Sequence, residues 1–211
     1  MRDIPLFTTS AGVASLFLKN VSFSETAYIR IMDSLEPEIL LHQCVNFCKA
    51  VGARSIYASG IKALPGEAAS CMITMQADLN SIPHTDAHLV PVTGETMEQW
   101  RTIYNEKMKT VPTAELISYQ NSRKYLEERN CYFVYRNQEL LGIGVTKENN
   151  VDAIASIQPG AGQDVLSALC HGTCIDTVSL QVADTNIPAM KLYKRLGFTE
   201  QEVLEQWHKI L

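Results

Sequence analysis

Apolar positions recur along this chain with two periods, one helical and one alternating. HLVPV predicts a strand, and in TGETMEQWRTIYNEKM the residues Met97, Trp100, Ile103 and Tyr104 share one side of a helix, with Thr93 or Thr96 near its cap. TAELISYQNSRKYLEERN, after Pro112, predicts a second amphipathic helix. The period then shortens. CYFVYRNQELLGIGV reads as two antiparallel strands joined at Asn137 and Gln138, and VDAIASI as a third strand after the polar KENN turn. QDVLSALCHG predicts a helix, TVSLQVA a strand, IPAMKLYKRL a helix and EVLEQWHKIL a closing strand. Antiparallel hairpins mixed with helix crossovers predict an α+β fold with a mixed sheet.

NSIPHTDAHLVPVTGE, residues 80–95, is rich in Pro, Thr, Asp and His and begins as a linker. It divides the chain into an expected N-terminal part, residues 1–82, and a complete unit, residues 86–211. The two parts share a pattern. YIRIMDSLEPEILLHQCVNFC (Tyr28 to Cys48) lies without a gap against IASIQPGAGQDVLSALCHGTC (Ile154 to Cys174). Ile31 matches Ile157, Ile39 matches Val165, Leu40 matches Leu166, and both cysteine pairs coincide. Each stretch continues into a strand, RSIYAS or TVSLQVA, so an incomplete internal duplication is expected. Where the second copy has Gly160, Ala161 and Gly162, the first has Ser34, Leu35 and Glu36, followed by Pro37. Proline offers no N–H and glutamate repels an anion, so only the second copy suits a phosphorylated ligand.

Composition narrows the function classes. The 211 residues are 46% hydrophobic and 19% charged, with a formal net charge of -5, and the mean hydropathy is -0.04. No basic run is present, which argues against nucleic-acid or anionic-membrane partners. LFTTSAGVASLFL is interrupted by Thr and Ser and preceded by Arg2 and Asp3, unlike a signal peptide, and no segment approaches membrane-spanning length. A cytoplasmic protein is expected. Cys44, Cys48, Cys71, Cys131, Cys170 and Cys174 sit inside apolar-periodic segments, as reduced, packed thiols do. A zinc or thiol-redox role for the two i, i+4 pairs would need further ligands, and no metal is expected.

Candidate chemistry gathers in two stretches. In QPGAGQDVLSAL, glycines at a strand-to-helix turn let the backbone approach a ligand, and the helix start offers N–H donors to an anion. In NIPAMKLYKRLGF, Asn186 can cap a helix, Pro188 fits its first turn and Gly197 ends it. Ala189, Leu192, Tyr193 and Leu196 form its apolar stripe, and from periodicity alone Tyr193 reads as a core residue.

NIPAMKLYKRLGF resembles the NxxAxxLYxxxGF signature of the GNAT superfamily of acyl-CoA-dependent N-acyltransferases, with Asn186, Ala189, Leu192, Tyr193, Gly197 and Phe198 in place. GAGQDVLSAL is similar to that family's pyrophosphate-binding turn, and CYFVYRNQELLGIGV to its second and third strands. The resemblance spans residues 86–211 and implies a GNAT-like fold preceded by a partial, degenerate GNAT-like half. It implies acetyl transfer from acetyl-CoA to a primary amine of a small molecule or peptide, by direct attack. Acetyl-CoA would lie where VDAIASI and TVSLQVA diverge, its pantetheine beside the strand ending at Ile157. Its pyrophosphate would meet the amides of Gln158, Gly160, Ala161, Gly162, Gln163 and Asp164. Asn186 would hold the pantetheine chain, Tyr193 would donate to the departing thiolate, and Glu148 or Asp152 would serve as base. The family's loop usually reads Q/R-x-x-G-x-G/A, whereas Ile157, Gln158 and Pro159 lead straight into Gly160 here. Fewer donors and weaker binding follow, and the rival expectation is a non-catalytic CoA-binding, sensing or structural protein. A homodimer is compatible with either.

Overall fold

The structure is a computed structural model and describes residues 6–60, 64–65, 68–109, 111, 113–114 and 116–211. In chain order the elements are β1 (Leu6–Thr9), β2 (Gly12–Phe17), α1 (Val21–Ser24), β3 (Thr26–Ser34), α2 (Pro37–Ala50), β4 (Ser55–Ser59) and β5 (Ala68–Asp78). A 3-10 turn, Leu79–Ser81, precedes β6 (His88–Pro91), α3 (Met97–Met108), α4 (Tyr119–Glu128), β7 (Cys131–Arg136), β8 (Glu139–Lys147) and β9 (Asn150–Ser156). The chain ends with α5 (Gly162–Thr173), β10 (Thr177–Ala183), α6 (Ile187–Arg195) and β11 (Thr199–Lys209).

Contacts divide the chain into two compact units. The first holds residues 1–71, 110–114 and 204–211, and the second residues 72–109 and 115–203. Residues 83–85 thus lie inside the second unit, because β5 from Met72 onward pairs antiparallel with β10. The arrangement is the mixed α+β one that the sequence predicts. β5 is an addition: Ile73, Met75 and Ala77 are buried and alternate with Thr74, Gln76 and Asp78, the pattern of a strand with one covered face.

In the first unit β2 pairs antiparallel with β1 and β3, β3 pairs parallel with β4, and the end of β11 joins β4 antiparallel at His208 and Lys209. One sheet face packs Ala14, Leu16, Ala27, Ile29, Ile31, Ile56 and Ala58 against Leu40, Leu41, Cys44 and Cys48 of α2. Leu40 and Leu166, Cys44 and Cys170, and Cys48 and Cys174 are all buried. Ile39 and Val165 part company, 47% exposed against 0%.

The second unit runs β5, β10, β9, β8, β7, β6, with β10 and β9 parallel and the other neighbours antiparallel. The β7–β8 turn falls at Asn137 and Gln138, both with positive φ (48° and 69°), as a two-residue hairpin matched to strand twist requires. Two helices cover one face. Met97 and Trp100 of α3 meet Cys131, Phe133, Ile143 and Val145, and the Trp100 indole donates to the Tyr132 carbonyl at 3.2 Å. Helix α4 starts at Tyr119, capped by Ser118, later than its periodicity predicts; Pro112 and Glu115 lie outside the described residues, as do Arg2 and Asp3.

Helix α5 covers the opposite face. A Cβ on Gly142 would lie 2.7 Å from a Val165 methyl, and one on Gly144 would lie 2.4 Å from a Leu169 methyl, so these glycines set how closely α5 docks. Val165, Leu166 and Leu169 are fully buried there, each worth about 1.5–3 kcal/mol over exposure. Among the described residues no helix is long and apolar enough to cross a membrane.

Candidate active site

Strands β9 and β10 are joined at one end only. Their parallel ladder has rungs at Asn150–Ser179 and Val151–Leu180, and none beyond among the described residues. The neighbouring antiparallel ladder pairs Thr146 with Val151 and Val145 with Ala153, which leaves Asp152 as the extra residue of a β-bulge. Asp152 therefore stands one residue past the last β9–β10 rung, at the apex of a fork. It is exposed, and the Asn150 side-chain amide donates to its carboxylate. Glu148 lies further back, exposed in the β8–β9 turn with φ 54°.

The first unit differs at the same place. The β3–β4 ladder runs from Thr26–Ser55 to Arg30–Ser59, through the whole of β4, so these strands do not part. Its bulge lies elsewhere. Val13 pairs with Asp33 and Ala14 with Ile31, making Met32 the extra residue, near the helix rather than at mid-strand. Between the two bulge heights the aligned residues face opposite sides of their sheets. Ile31 is accordingly core against α2, whereas its match Ile157 is half-buried at the end of β9.

Past β9 the chain makes one tight turn. The Ala161 N–H donates to the Gln158 carbonyl at 3.2 Å, with Pro159 and Gly160 (φ 82°) between them, the residues a type II turn favours. The Ile157 and Gln158 amides both donate to the Leu141 carbonyl, at 2.8 and 3.3 Å. These three N–H groups are engaged internally, and Pro159 has none. The expected set of pyrophosphate donors therefore narrows. Gly160, Gly162, Gln163 and Asp164 keep amides that make no hydrogen bond among the described residues, and the N-cap residue Ala161 has no capping side chain. A Cβ at Gly160 would meet nothing within 4 Å, so the ground in front of the turn is open.

Asp164 would set a negative charge among those donors, but its carboxylate is held. Arg136, the last residue of β7, donates to one oxygen at 2.9 Å and Thr85 to the other at 2.9 Å. Asp86 adds a longer contact to Arg136, 3.8 Å. Periodicity gave no sign of Arg136 or Thr85, because both act through tertiary placement.

Helix α6 carries the tyrosine. Asn186 caps it by accepting the Ala189 N–H at 3.3 Å, and Gly197 (φ 91°) ends it, with the Phe198 N–H returning to the Tyr193 carbonyl at 3.0 Å. Leu192 packs 3.1 Å from the Cβ position of Gly162, which brings this helix to the start of α5. The Tyr193 ring is 6% exposed and lies 5.9 Å from the Phe198 ring. Burial pushes its phenol up to about 12, and Cys170 adds to the shift. Sealed polar side-chain atoms without a partner are Ser15 Oγ, Gln43 Oε1 and Ser167 Oγ among the described residues.

The cysteines are free and, apart from half-buried Cys71, buried. Burial raises Cys44, Cys131 and Cys170 to about 12 and Cys48 to about 11, leaving them un-ionised at neutral pH. No cluster of three or more His, Cys, Asp or Glu suited to a metal occurs among the described residues. A hollow of about 420 Å3 in the first unit is lined by Leu18, Val21, Ser22, Glu25, Val51 and Gly52; its one acid, Glu25, is held by Arg54 at 3.2 Å.

No family model matches the chain, and no curated protein matches it in sequence. Solved structures do match. A GCN5-related N-acetyltransferase from Anabaena variabilis superposes with TM-score 0.58 and 12% identity, over 94% of this chain and 59% of that one. A GNAT-family acetyltransferase from Colwellia psychrerythraea gives 0.50 and 15%, over 97% and 83%. The chain has the GNAT fold. A conserved protein of unknown function from Staphylococcus epidermidis, at 0.52 and 11%, shares it over 99% of this chain and 94% of its own.

Proposed function

We propose that residues 86–211 form an acetyl-CoA-dependent N-acetyltransferase, and that residues 1–82 are a degenerate half of the same design that does not take acetyl-CoA. The parting of β9 from β10 beyond Val151–Leu180, with the bulge at Asp152, carries this reading. Equal spacing between parallel partners in both halves, Thr26 to Ser55 and Asn150 to Ser179, supports the repeat. The zipped β3–β4 ladder and Pro37 at the start of α2 support the loss of binding in the first half.

The cosubstrate supplies an acyl group activated as a thioester. Beyond the fork, the β10-facing N–H and C=O groups of residues 153–156 are available to the amides of a pantetheine arm, as to an added strand. The amides of Gly160, Gly162, Gln163 and Asp164 face a pyrophosphate with the positive end of the α5 dipole behind them. Asn186 uses its oxygen for the cap, leaving its NH2 to donate to the pantetheine chain. Asp152 at the apex is the assigned base for the attacking amine, with Glu148 as the further candidate. Proton transfer from a phenol near 12 to a thiolate with an ordinary pKa of ~8.5 is uphill by about 5 kcal/mol. Tyr193 therefore steadies the leaving sulfur by donating a hydrogen bond.

Calorimetry of the full chain with acetyl-CoA tests the first step, and CoA release across small amines, amino acids and peptides tests the second. Absence of both binding heat and a thermal shift at millimolar ligand would remove the proposal. Given binding, Tyr193→Phe should lower kcat about a hundredfold with little change in affinity. A second reading, a CoA-binding module without turnover, is favoured by the three loop amides already engaged at Ile157, Gln158 and Ala161. It predicts binding heat with no CoA release from any amine.

A further inference from the structure

We propose that the first unit carries a binding site for a small carboxylate, centred on Arg30. The face of its sheet opposite α2 is polar and aromatic. Register places Phe17 beside Tyr28, Tyr28 beside Tyr57 and Arg30 beside Ser59, with Glu205 and Trp207 contributed by β11. Arg30 donates through Nε and Nη2 to the two oxygens of Glu205, at 2.7 and 2.6 Å, and the Ser59 hydroxyl donates to the same carboxylate at 2.5 Å. The guanidinium carbon also lies 5.3 Å from the Phe17 ring and 5.7 Å from the Trp207 ring.

A guanidinium has five N–H donors, and Glu205 uses one edge. The Nη1 and outer Nη2 hydrogens have no acceptor among the described residues, and the Arg30 side chain is 37% exposed. That outer edge is a planar fork of the kind that accepts a carboxylate with two parallel bonds. Glu205, Phe17 and Trp207 hold it in one orientation, so little further side-chain entropy is lost when a ligand docks. Beside it, the Tyr28 and Tyr57 rings stack at 5.1 Å, both half-buried and with hydroxyls unbonded among the described residues. They give an apolar surface for the body of the ligand. A cation is a poor occupant, because both Glu205 oxygens are already taken and Arg30 repels it. A planar or apolar monocarboxylate is the chemistry that fits.

The test uses the full chain and 4-fluorobenzoate, followed by fluorine NMR line broadening, with neutral 4-fluorobenzamide as the control. Saturable binding is expected, weaker by about tenfold or more for the benzamide and for Arg30→Lys, which keeps the charge and loses the fork. Arg30→Gln combined with Glu205→Gln removes both charges without stranding either and should abolish binding. Lack of saturable broadening with the native chain, equal affinity for the benzamide, or unchanged affinity in Arg30→Lys would overturn the site. Arg30→Lys decides the matter if the double variant does not fold.

Discussion

Val151 of β9 and Leu180 of β10 form the last rung of their parallel ladder, and the bulged residue Asp152 follows directly. A bulge adds twist and turns a side chain out of the alternation of its strand. Here that extra twist coincides with the point where two parallel strands separate. Strand β3, bulged instead at Met32, pairs with β4 over the whole of β4. The fork and the bulge thus go together in one unit and are both missing at that height in the other.

The open start of α5 gives a prediction in which stability and binding move in opposite directions. Gln163 lies in the first turn, where a negative charge favours the helix dipole by about 0.3–1 kcal/mol. Gln163→Glu should raise the urea midpoint slightly while weakening acetyl-CoA about tenfold by repulsion of the pyrophosphate. Denaturation and calorimetry on one preparation read both. Tighter acetyl-CoA binding in this variant would place the pyrophosphate elsewhere.

Arg136 offsets the carboxylate of Asp164 beside the first amides of α5. Arg136→Gln should cost less than about 1 kcal/mol in stability, since the pair is partly exposed. It should nonetheless raise the Kd for acetyl-CoA several-fold, by leaving Asp164 charged at the mouth of the turn. Adding Asp164→Asn should restore most of the affinity, and a double variant as weak as the single one would show that Arg136 acts in some other way.

Gly144 sets the depth at which α5 docks, because a methyl there meets both Leu169 methyls at 2.4 and 2.6 Å. Gly144→Ala is expected to destabilise by about 1–3 kcal/mol through overpacking. In a Leu169→Ala background, itself destabilised by the lost burial, Gly144→Ala should cost less than it does in the native chain, since the space the new methyl needs is already open. Strictly additive midpoints in denaturant would mean that the two positions do not share this contact.

Much of the second unit was legible because each element announces itself locally. Asn186, Pro188 and Gly197 bracket α6, Pro159 and Gly160 mark the turn, and alternation marks β7 to β9. β5 carries the same kind of local signal in the alternation of Ile73, Met75 and Ala77 with polar neighbours. What the candidate site adds is non-local. The bulge at Asp152 exists only relative to β8, the engagement of Ile157 and Gln158 only relative to Leu141, and the holding of Asp164 only through Arg136 and Thr85. Hydrophobic period carries no information on such pairings. It placed Tyr193 on the buried stripe, where the ring lies.

Alkaline pH should expose the cost of the buried acids. Burial lifts the thiols of Cys44, Cys131 and Cys170 from an ordinary 9.0 to about 12, that of Cys48 to about 11, and the Tyr193 phenol from 10.0 to about 12. Raised values mean that the folded chain holds protons the unfolded chain has already lost. The stabilisation is complete below pH 9 and disappears as pH climbs through 11 to 12, with each group steepening the fall by up to about 1.4 kcal/mol per pH unit within its window. Urea midpoints measured from pH 8 to pH 11 should therefore fall, and Cys44→Ala should flatten the decline after its own loss of packing is subtracted at pH 8. Phenolate absorbance should show Tyr193 ionising only as the chain unfolds, and Tyr193→Phe should remove that late step. A flat midpoint across this range would mean that water reaches these thiols in the native state.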